Sequence, residues 1–409
     1  MRRVLPLLLA AAPLLTVGCD RAPSEEAWRR VDEAALPDHL EEPRANTRPV
    51  TMEPAGTWHV AESPRTFVTF QGTEADMAWT LGVGAGQRAM VYKDRLERLN
   101  EMFFSQIPGF EMKLDNVVDL AGAGSIGREV FYDLDPEVFM VDPRLPLVFW
   151  RWEADDVERA ASEIAPFFGN FIRKQRGEQW GPAYRQYTLD EAMSIYAKLY
   201  GREARYHRFA AFREALLRRI QDALPPRDAR PKVMLLNAGS RPDEGKFYLV
   251  DLEAVEDDQF AGTWVQAYRE LGLRQAFDFS EYVATEWSQV DYETMVAIDP
   301  EVIIVVWSFA MYPTRASFEE GLLEPLREHP LGRTLQAVRN DRVLPGGTAE
   351  QGPLTHLFQL EMMAKQVFPE TFGRWRWGAT PERPLFDRED LGRILAGEPA
   401  SVAESGVAP

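Results

Sequence analysis

The chain has 409 residues, a formal net charge of -18 at pH 7 and 45% hydrophobic residues. A surface this acidic repels nucleic acids and anionic lipid headgroups, so neither is an expected partner, and an anionic ligand must be held by a local cluster of cations. The length is sufficient for two globular lobes, each with a core of its own.

The chain begins with the features of an export signal. Arg2 and Arg3 precede an apolar run over residues 4–17, which is too short to span a bilayer because spanning takes about 20 apolar residues. The run ends in LTVGC, which resembles the lipobox of bacterial lipoproteins and implies lipid on Cys19, the only cysteine. We expect a signal peptide over residues 1–18 and a lipid-anchored mature protein. The alternative is an ordinary cleaved signal with a cysteine near the cut.

Both ends of the mature chain are predicted to be polar extensions. Residues 19–60 are acidic, contain five prolines and lack apolar periodicity, which predicts a spacer between the lipid and the globular part. Residues 373–409 contain two tryptophans and then an Ala/Gly/Pro-rich stretch, which predicts a partly disordered tail with one short helix at 387–395.

Between these extensions, short apolar runs alternate with helical stretches, a pattern typical of α/β lobes. The N-terminal lobe is expected over residues 61–187 and the C-terminal lobe over residues 226–372. Strands are predicted at 66–70, 138–141, 232–236, 302–306 and 342–344, and helices at 74–81, from 126, and at 259–271, 292–297 and 354–367.

Residues 188–225 between the lobes have the pattern of a helix. Thr188 and Glu191 fit a capping box, apolar residues recur at helical spacing, and Pro225 ends the pattern. If Gly201 does not interrupt it, one helix of about 36 residues and about 54 Å bridges the lobes rigidly.

Two segments match each other. Residues 129–141 read EVFYDLDPEVFMV and residues 293–305 read ETMVAIDPEVIIV, so each is a short helix, a turn at Asp-Pro and a buried strand. The match predicts two lobes of similar construction. A coincidence between two common α/β connections is the alternative.

These segments resemble the substrate-binding proteins of ABC importers for iron-siderophores, haem and cobalamin. The resemblance covers about residues 60–372 and rests on the strand at 65–70, the helix–Pro–strand segment at 290–305 and the closing strand and helix at 342–370. It implies an α/β fold with two Rossmann-like lobes, bridged by one long helix, and a ligand cleft between the lobes. Residues 102–118 and 149–187 are longer than the family pattern.

The resemblance also implies a docking surface. In relatives, one Glu at the outer tip of each lobe pairs with arginines of the permease, and its place, seven residues before the Pro, corresponds to Glu129 and Glu293. Both acids also suit the first turn of a helix on electrostatic grounds alone.

Ligands of open α/β lobes bind beyond the carboxyl ends of the strands. Aromatic faces there suit a flat or bulky ligand and arginines suit anionic oxygens, although each aromatic is as well explained by packing. The candidate ligand residues are Gln71, Arg144, Trp150, Trp180, Asn237, Arg241, Trp307, Tyr312 and Gln351; Asp142, Trp152, Tyr184, Tyr187, Ser308 and residues 346–350 lie on or near the same loops.

The leading functional prediction is capture of an iron-siderophore and its delivery to the permease dimer of an ABC importer. Cobalamin and haem are the rivals within the class, with His356 as the histidine nearest to a predicted cleft loop. A lipid-anchored hydrolase and an adhesive lipoprotein are the rivals outside it. The sequence contains no HExxH, CxxC, Walker or GxSxG motif, so we expect no enzyme.

We expect no cofactor beyond the lipid, no resident metal, and a monomer whose ligand is a ferric chelate. Asp20, directly after Cys19, resembles a retention signal of Gram-negative lipoproteins. It implies a location on the periplasmic side of the cytoplasmic membrane.

Overall fold

The computed structural model describes residues 46–121, 126–173, 184–252, 262–282, 288–348 and 350–398. Cys19 and the predicted signal lie outside these residues. Within them, no helix is long and apolar enough to cross a bilayer. The β-strands are β1 Arg48–Met52, β2 Gly56–Val60, β3 Phe67–Thr69, β4 Gln87–Met90, β5 Val118–Asp119, β6 Val138–Met140, β7 Lys232–Asn237, β8 Phe247–Val250, β9 Arg274–Gln275, β10 Ser288–Val290, β11 Val302–Val306 and β12 Val343–Pro345.

The helices divide between the two lobes and the segment that joins them. They are α1 Gly72–Thr80, α2 Lys93–Met102, α3 Glu129–Leu134, α4 Ala154–Glu163, α5 Leu189–Tyr200, α6 Glu203–Ala223, α7 Gln266–Glu270, α8 Tyr292–Ile298, α9 Ser308–Met311, α10 Arg315–Phe318, α11 Glu324–Glu328, α12 Gln336–Arg339, α13 Pro353–Val367, α14 Pro369–Phe372 and α15 Arg388–Ala396.

The N-terminal lobe is built on a parallel sheet with the strand order β5-β4-β3-β6. Its central strands are apolar and buried on both faces, as expected for parallel strands that helices cover. Phe167 forms a parallel bridge with Phe139 beside β6, so the long insert continues the sheet. Gly169 follows, and a Cβ there would lie 2.5 Å from the carbonyl carbon of Val141, which explains why the insert has a glycine at this close approach.

The C-terminal lobe is built on a mixed sheet with the order β10-β8-β7-β11-β12, and β9 also pairs with β7. β7, β11 and β12 are parallel, while β8 is antiparallel to β7 and β10 is antiparallel to β8. The prediction of two α/β lobes is therefore confirmed, although β4, β5, β8, β9 and β10 were not predicted.

The internal repeat is present in the backbone. Asp135 caps the C-terminus of α3 and Asp299 caps that of α8, and both take the left-handed conformation, with φ of 44° and 41°. Aspartate tolerates this region better than most residues, and the proline that follows each cannot continue a helix. β6 and β11 then begin two residues after Pro136 and Pro300, so the two predicted segments have the same construction.

The predicted single bridging helix is wrong, because Gly201 divides it into α5 and α6. Gly201 has a φ of 61° and its amide donates to the carbonyl oxygens of Ala197 and Lys198, which ends α5. The capping box of Thr188 and Glu191 at the start of α5 is confirmed. The connector is thus a pair of helices.

The ordered globular part begins earlier than the predicted spacer boundary. β1 and β2 form an antiparallel hairpin whose Val50, Met52 and Val60 are buried against Met77 and Tyr196. Nη2 of Arg48 donates to the carbonyl oxygen of Leu199 at 2.6 Å and holds the hairpin on α5. Residues 46–60 therefore belong to the N-terminal lobe.

The predicted tail is part of the core up to residue 398. Its helix α15, capped by the Asp387 side chain, packs against α6, and Leu391 and Phe386 are buried. Arg388 forms a buried ion pair with Glu361 of α13. The apolar residues of this segment are too widely spaced to form a recognisable strand or helix before α15, which is why composition alone predicts a tail.

The packing of α15 makes a testable prediction. Leu391→Ala removes a side chain with 0% exposure, and we expect it to lower the free energy of unfolding by about 2–5 kcal/mol. Urea denaturation followed by circular dichroism measures the change. Glu389→Gln on the exposed side of α15 is the control. Equal stability of Leu391→Ala and the wild type would show that this segment is a loose appendage.

Candidate functional site

The carboxyl ends of the parallel strands of both sheets meet at the boundary between the lobes. Gln71 follows β3, Trp307 follows β11, and Arg173 of the insert lies between them with 3% exposure. Nη1 of Arg173 donates to Oε1 of Gln71 at 3.0 Å, and its guanidinium carbon is 5.2 Å from the ring centroid of Trp307. The arginine therefore contacts both lobes, through a hydrogen bond on one side and a cation–π contact on the other.

The backbone of the insert also crosses the boundary. The amides of Thr263 and Trp264 in the C-terminal lobe donate to the carbonyl oxygens of Ile172 and Arg173, each at 3.1 Å. Trp264 packs against Trp307 with ring centroids 5.2 Å apart. The insert thus fills part of the cleft that separates the lobes.

A carboxylate joins the lobes at a second place. The two oxygens of Asp76 in α1 accept hydrogen bonds from the amides of Leu354 and Thr355, at 3.0 and 2.8 Å, at the start of α13. An anion at a helix N-terminus satisfies free amides and interacts favourably with the helix dipole. Gly352 allows this approach, since a Cβ there would lie 2.2 Å from Cβ of Asp76.

Further buried carboxylates surround Arg173, and their pKa values differ. Burial raises the pKa of Glu74 to about 7, and it also raises the pKa of Asp142, which accepts a hydrogen bond from the Tyr184 hydroxyl. Burial acts in the same direction on Glu350, but the positive charges of Arg95 and Arg173 outweigh it and lower the pKa of this carboxyl. Glu350 is therefore the ionised partner of the cluster, at 3.3 Å from Nη1 of Arg95.

Several buried polar atoms at this boundary make no hydrogen bond within the described residues. Buried donors and acceptors without partners are costly, and they concentrate where a ligand or water completes the bonding. They are Nε2 of Gln71, Nε of Arg173, Nδ2 of Asn237, Oγ1 of Thr263 and Oε1 of Gln351.

Four of the predicted ligand residues lie at this boundary and are buried. They are Gln71, Asn237, Trp307 and Gln351. Oδ1 of Asn237 accepts from the Gly239 amide at 2.7 Å, and Nε2 of Gln351 donates to the carbonyl oxygen of Thr348 at 2.6 Å. These four side chains are therefore shielded from solvent in this conformation.

Three further predicted residues are more accessible. Arg241 is exposed, and Arg144 and Tyr312 are partly buried. The guanidinium carbon of Arg144 lies 5.0 Å from the ring centroid of Tyr184, and the Tyr312 hydroxyl donates to the carbonyl oxygen of Ala238 at 3.5 Å. All three follow strands whose carboxyl ends meet at the boundary.

Trp150 does not lie in the cleft. It is 1% exposed and its ring stacks on Phe131 at 5.3 Å, within the core of the N-terminal lobe. The π-helical turn Pro146–Trp150 directs the indole inwards and Arg151, with a φ of 60°, ends that turn. Trp180 lies outside the described residues.

His356 is fully buried and already paired. Its Nε2 lies 2.7 Å from Oε2 of Glu270, and Oε1 of Glu270 accepts from Nη2 of Arg213 at 2.5 Å. Burial opposes ionisation of Glu270, but the charges of His356 and Arg213 outweigh it and lower the pKa to about 2. In this conformation His356 joins α13 to Glu270 of α7, which contacts the connector through Arg213, and the imidazole does not face the cleft as an axial ligand.

The boundary contains charged residues that sequence reasoning missed, chiefly Asp76, Glu74, Arg95 and Arg173. Two acids in α1 next to alanine and methionine are a signal of buried charge, because a solvated helix face carries more polar neighbours. Arg173 directly follows the apolar run 165–172, and an ionisable residue there also indicates a buried role.

Glu129 and Glu293 lie in the first turns of α3 and α8, and both are exposed. Among the described residues, neither carboxylate forms an ion pair. Each helix runs opposite to the strand that follows it, so both acids lie towards the carboxyl ends of their sheets. The arrangement leaves both carboxylates accessible to a partner.

Comparison with known proteins assigns the fold and the family. Residues 104–346, more than half of the chain, match the family described as periplasmic binding protein. The chain belongs to this family. Comparison with curated protein sequences found no match.

Solved structures of this family share the fold at low sequence identity. The iron-uptake ABC transporter substrate-binding protein PiuA from Streptococcus pneumoniae is 15% identical, with a TM-score of 0.55 over 79% of this chain and 100% of that one. The triscatecholate siderophore-binding protein FeuA from Bacillus subtilis is 15% identical, with a TM-score of 0.51 over 78% and 98%. The siderophore-binding protein BauB is 16% identical, with a TM-score of 0.51 over 78% and 97%.

The described residues of this family member contain no group of three or more His, Cys, Asp or Glu side chains that could hold a metal ion. The boundary instead offers amides, hydroxyls, indoles and guanidinium groups. These suit hydrogen bonding and stacking with a whole molecule.

The buried carboxylates make the stability of the protein depend on pH. Burial raises the pKa of Glu74 from 4.5 to about 7 and that of Asp76 from 3.8 to about 6. Between about pH 4 and 7 the folded protein therefore binds more protons than the unfolded chain, so stability falls as pH rises. The pKa values of Glu270 and Glu350 are lowered from 4.5, so these two acids act in the opposite direction, and their effect on stability is complete once the pH is well above 4.5.

We expect the urea concentration at the midpoint of unfolding of the wild type to decrease as the pH is raised from 5 to 8. The side chain introduced by Glu74→Gln cannot ionise. We therefore expect this variant to reduce the pH-dependent change in the free energy of unfolding by roughly 3 kcal/mol at most. The exposed Glu101→Gln is the control. An unchanged slope in Glu74→Gln would contradict the assignment.

Proposed function

We propose that the protein is an extracytoplasmic solute-binding lipoprotein that captures a ferric siderophore between its lobes and delivers it to an ABC importer. The observation that carries the proposal is the boundary where the carboxyl ends of both sheets meet, with aromatic faces and buried polar atoms that lack partners. A ferric chelate arrives with its iron already coordinated, so its protein site needs donors and aromatic faces more than metal ligands.

Structurally similar proteins support this ligand class. PiuA is named an iron-uptake ABC transporter substrate-binding protein, and FeuA was solved with ferri-bacillibactin. BauB was solved with a complex of two acinetobactin molecules and ferric iron. Because their identity to this chain is 15–16%, the transfer of their ligands to this chain is part of the proposal.

The binding cycle must include separation of the lobes. Gln71, Trp307 and Gln351 are buried in the described conformation, so a bulky ligand reaches them only when the contacts of Asp76 and Arg173 across the boundary break. Arg144 and Arg241 remain accessible and are the first cations that an anionic chelate meets.

The lipid on Cys19 and the docking of Glu129 and Glu293 to the permease belong to the same proposal. A tethered receptor stays close to its permease, which raises its effective concentration there. Two carboxylates on homologous helices of the two lobes suit a permease dimer with two matching cationic surfaces.

Ligand titration tests the proposed class. We expect a ferric catecholate or ferric hydroxamate to quench tryptophan fluorescence saturably, and haem and cobalamin to bind at least about tenfold more weakly, a difference of about 1.4 kcal/mol. Tighter binding of haem or cobalamin would identify one of the rivals within the class. No response to any of the four would reject capture of metal chelates.

Charge removal at the accessible cations tests the position of the ligand. Arg144→Gln combined with Arg241→Gln should weaken binding of an anionic ferric chelate at least about tenfold, because each guanidinium can form charge-assisted hydrogen bonds. Arg88→Gln combined with Arg159→Gln, at exposed positions of the N-terminal lobe, is the control. Unchanged affinity in the first variant would place the chelate elsewhere.

Charge reversal tests the docking of the permease. Glu129→Arg combined with Glu293→Arg should leave chelate affinity unchanged and reduce uptake into cells at least about tenfold, because like charges then face the permease. Glu158→Arg combined with Glu328→Arg, which changes one exposed acid in each lobe, is the control. Normal uptake by the first variant would remove these two residues from docking.

A further inference from the structure

A groove lies on the C-terminal lobe along β12, the edge strand of its sheet. It has a volume of about 600 Å³ and is formed by β12, α10, α11, the C-terminal end of α13 and residues 374–377. It is separate from the boundary that contains Gln71 and Trp307, none of whose residues line it. Its walls combine apolar side chains with charged ones.

The groove is basic although the protein is strongly acidic. Six cations and two acids line it, which leaves a local charge of +4 in a chain of net charge -18. The cations are Arg315, Arg327, Arg342, Lys365, Arg374 and Arg376, and the acids are Glu319 and Asp341. Arg315 pairs with Glu319 at 2.7 Å and Arg327 pairs with Asp341 at 2.8 Å, so both acids are already used.

The other four cations have no carboxylate partner within the described residues. Arg342 and Lys365 donate to backbone carbonyl oxygens at 2.6 to 3.0 Å, and burial lowers the pKa of both groups. Arg374 and Arg376 are exposed, and their side chains make no hydrogen bond or ion pair within the described residues. Glu301 acts electrostatically on Arg342, and Glu361 acts on Lys365. An anion in the groove would therefore meet four cations that form no ion pair of their own, of which Arg374 and Arg376 are the most accessible.

Two indoles supply the apolar part of the wall. Trp375 and Trp377 alternate with Arg374 and Arg376, and both indoles are partly buried. The ring of Trp377 packs on Phe309 at 4.8 Å in an edge-to-face arrangement. The indoles are thus held in place by the core, while part of their surface lines the groove. Fixed aromatic surface beside free guanidinium groups favours a ligand that is both planar and anionic.

We propose that this groove binds a small organic anion with an aromatic body, such as an aryl carboxylate or aryl sulfonate. A polyanion or an anionic membrane is a poorer occupant, because the rest of the acidic surface repels a large negative partner at longer range. A small anion enters the groove without meeting that surface.

The test uses 8-anilinonaphthalene-1-sulfonate, an aryl sulfonate whose fluorescence rises on binding. We expect one molecule to bind per chain at low ionic strength, and Arg374→Gln combined with Arg376→Gln to weaken its binding at least about tenfold. Arg333→Gln combined with Arg339→Gln, at exposed positions outside the groove, should bind as the wild type does. Because Arg374 and Arg376 have no partners, an unchanged Tm is expected and would show that the fold is intact.

Two companion probes distinguish the parts of the proposal. Uncharged N-phenyl-1-naphthylamine should bind at least about tenfold more weakly than the sulfonate, and inorganic phosphate should displace the sulfonate only in large excess. Equal binding of the uncharged compound would show that the groove is merely apolar. Displacement by phosphate at equal concentration would show an inorganic-anion site, and unchanged sulfonate affinity in the Arg374→Gln/Arg376→Gln variant would place the probe elsewhere. Any of these three results would overturn the proposal.

Discussion

The arrangement of the lobes depends on one contact, between the carboxylate of Asp76 in α1 and the first turn of α13. It joins the first helix of the N-terminal lobe to the longest helix of the C-terminal lobe, through two backbone amides that otherwise have no helical partner. Hydrogen bonds to a charged group are worth about 1.5–3 kcal/mol each. Burial of the charge opposes this gain and outweighs it, because the pKa of Asp76 is raised to about 6. The lobes are therefore joined by a carboxylate whose charged form is costly in this position.

The parts of the fold that were predictable have strong local signals. The Asp-Pro turns at 135–136 and 299–300 combine an aspartate suited to the left-handed region with a residue that cannot continue a helix, so they mark the two matching segments. The buried strand β11 is a continuous apolar run, and the long helix α13 has apolar residues at helical spacing. By contrast, β4 has no β-branched residue and β5 has only two residues, so both depend on pairing with neighbours for their existence. Gly201 shows why helical spacing of apolar residues does not always predict one continuous helix. The spacing continues past Gly201, although the backbone of this residue leaves the helix.

The sequence predicted where the candidate site lies, but it did not predict which side chains contact one another there. The rule that ligands bind beyond the carboxyl ends of strands located Gln71, Asn237, Trp307 and Gln351 at one boundary. It did not distinguish them from Trp150, since one turn of backbone decides whether an indole faces the cleft or the core. Arg173 lies 102 residues from its partner Gln71 along the chain, and no short-range pattern reports a contact at that distance. The tail was misjudged for the same reason, because Phe386 and Leu391 find their neighbours only in the folded lobe.

The division of the connector at Gly201 has a mechanical consequence. A continuous rod must bend over its whole length, whereas rotation about one residue can change the direction of α6 relative to α5 while both helices stay intact. The Arg213 guanidinium spans that joint, with Asp190 of α5 at 2.8 Å on one side and Glu270 of the C-terminal lobe at 2.5 Å on the other. Glu270 in turn contacts His356 of α13, the helix whose first turn Asp76 holds. A change of angle at Gly201 would therefore alter contacts that connect the joint, through Glu270 and α13, with the contact of Asp76 between the lobes.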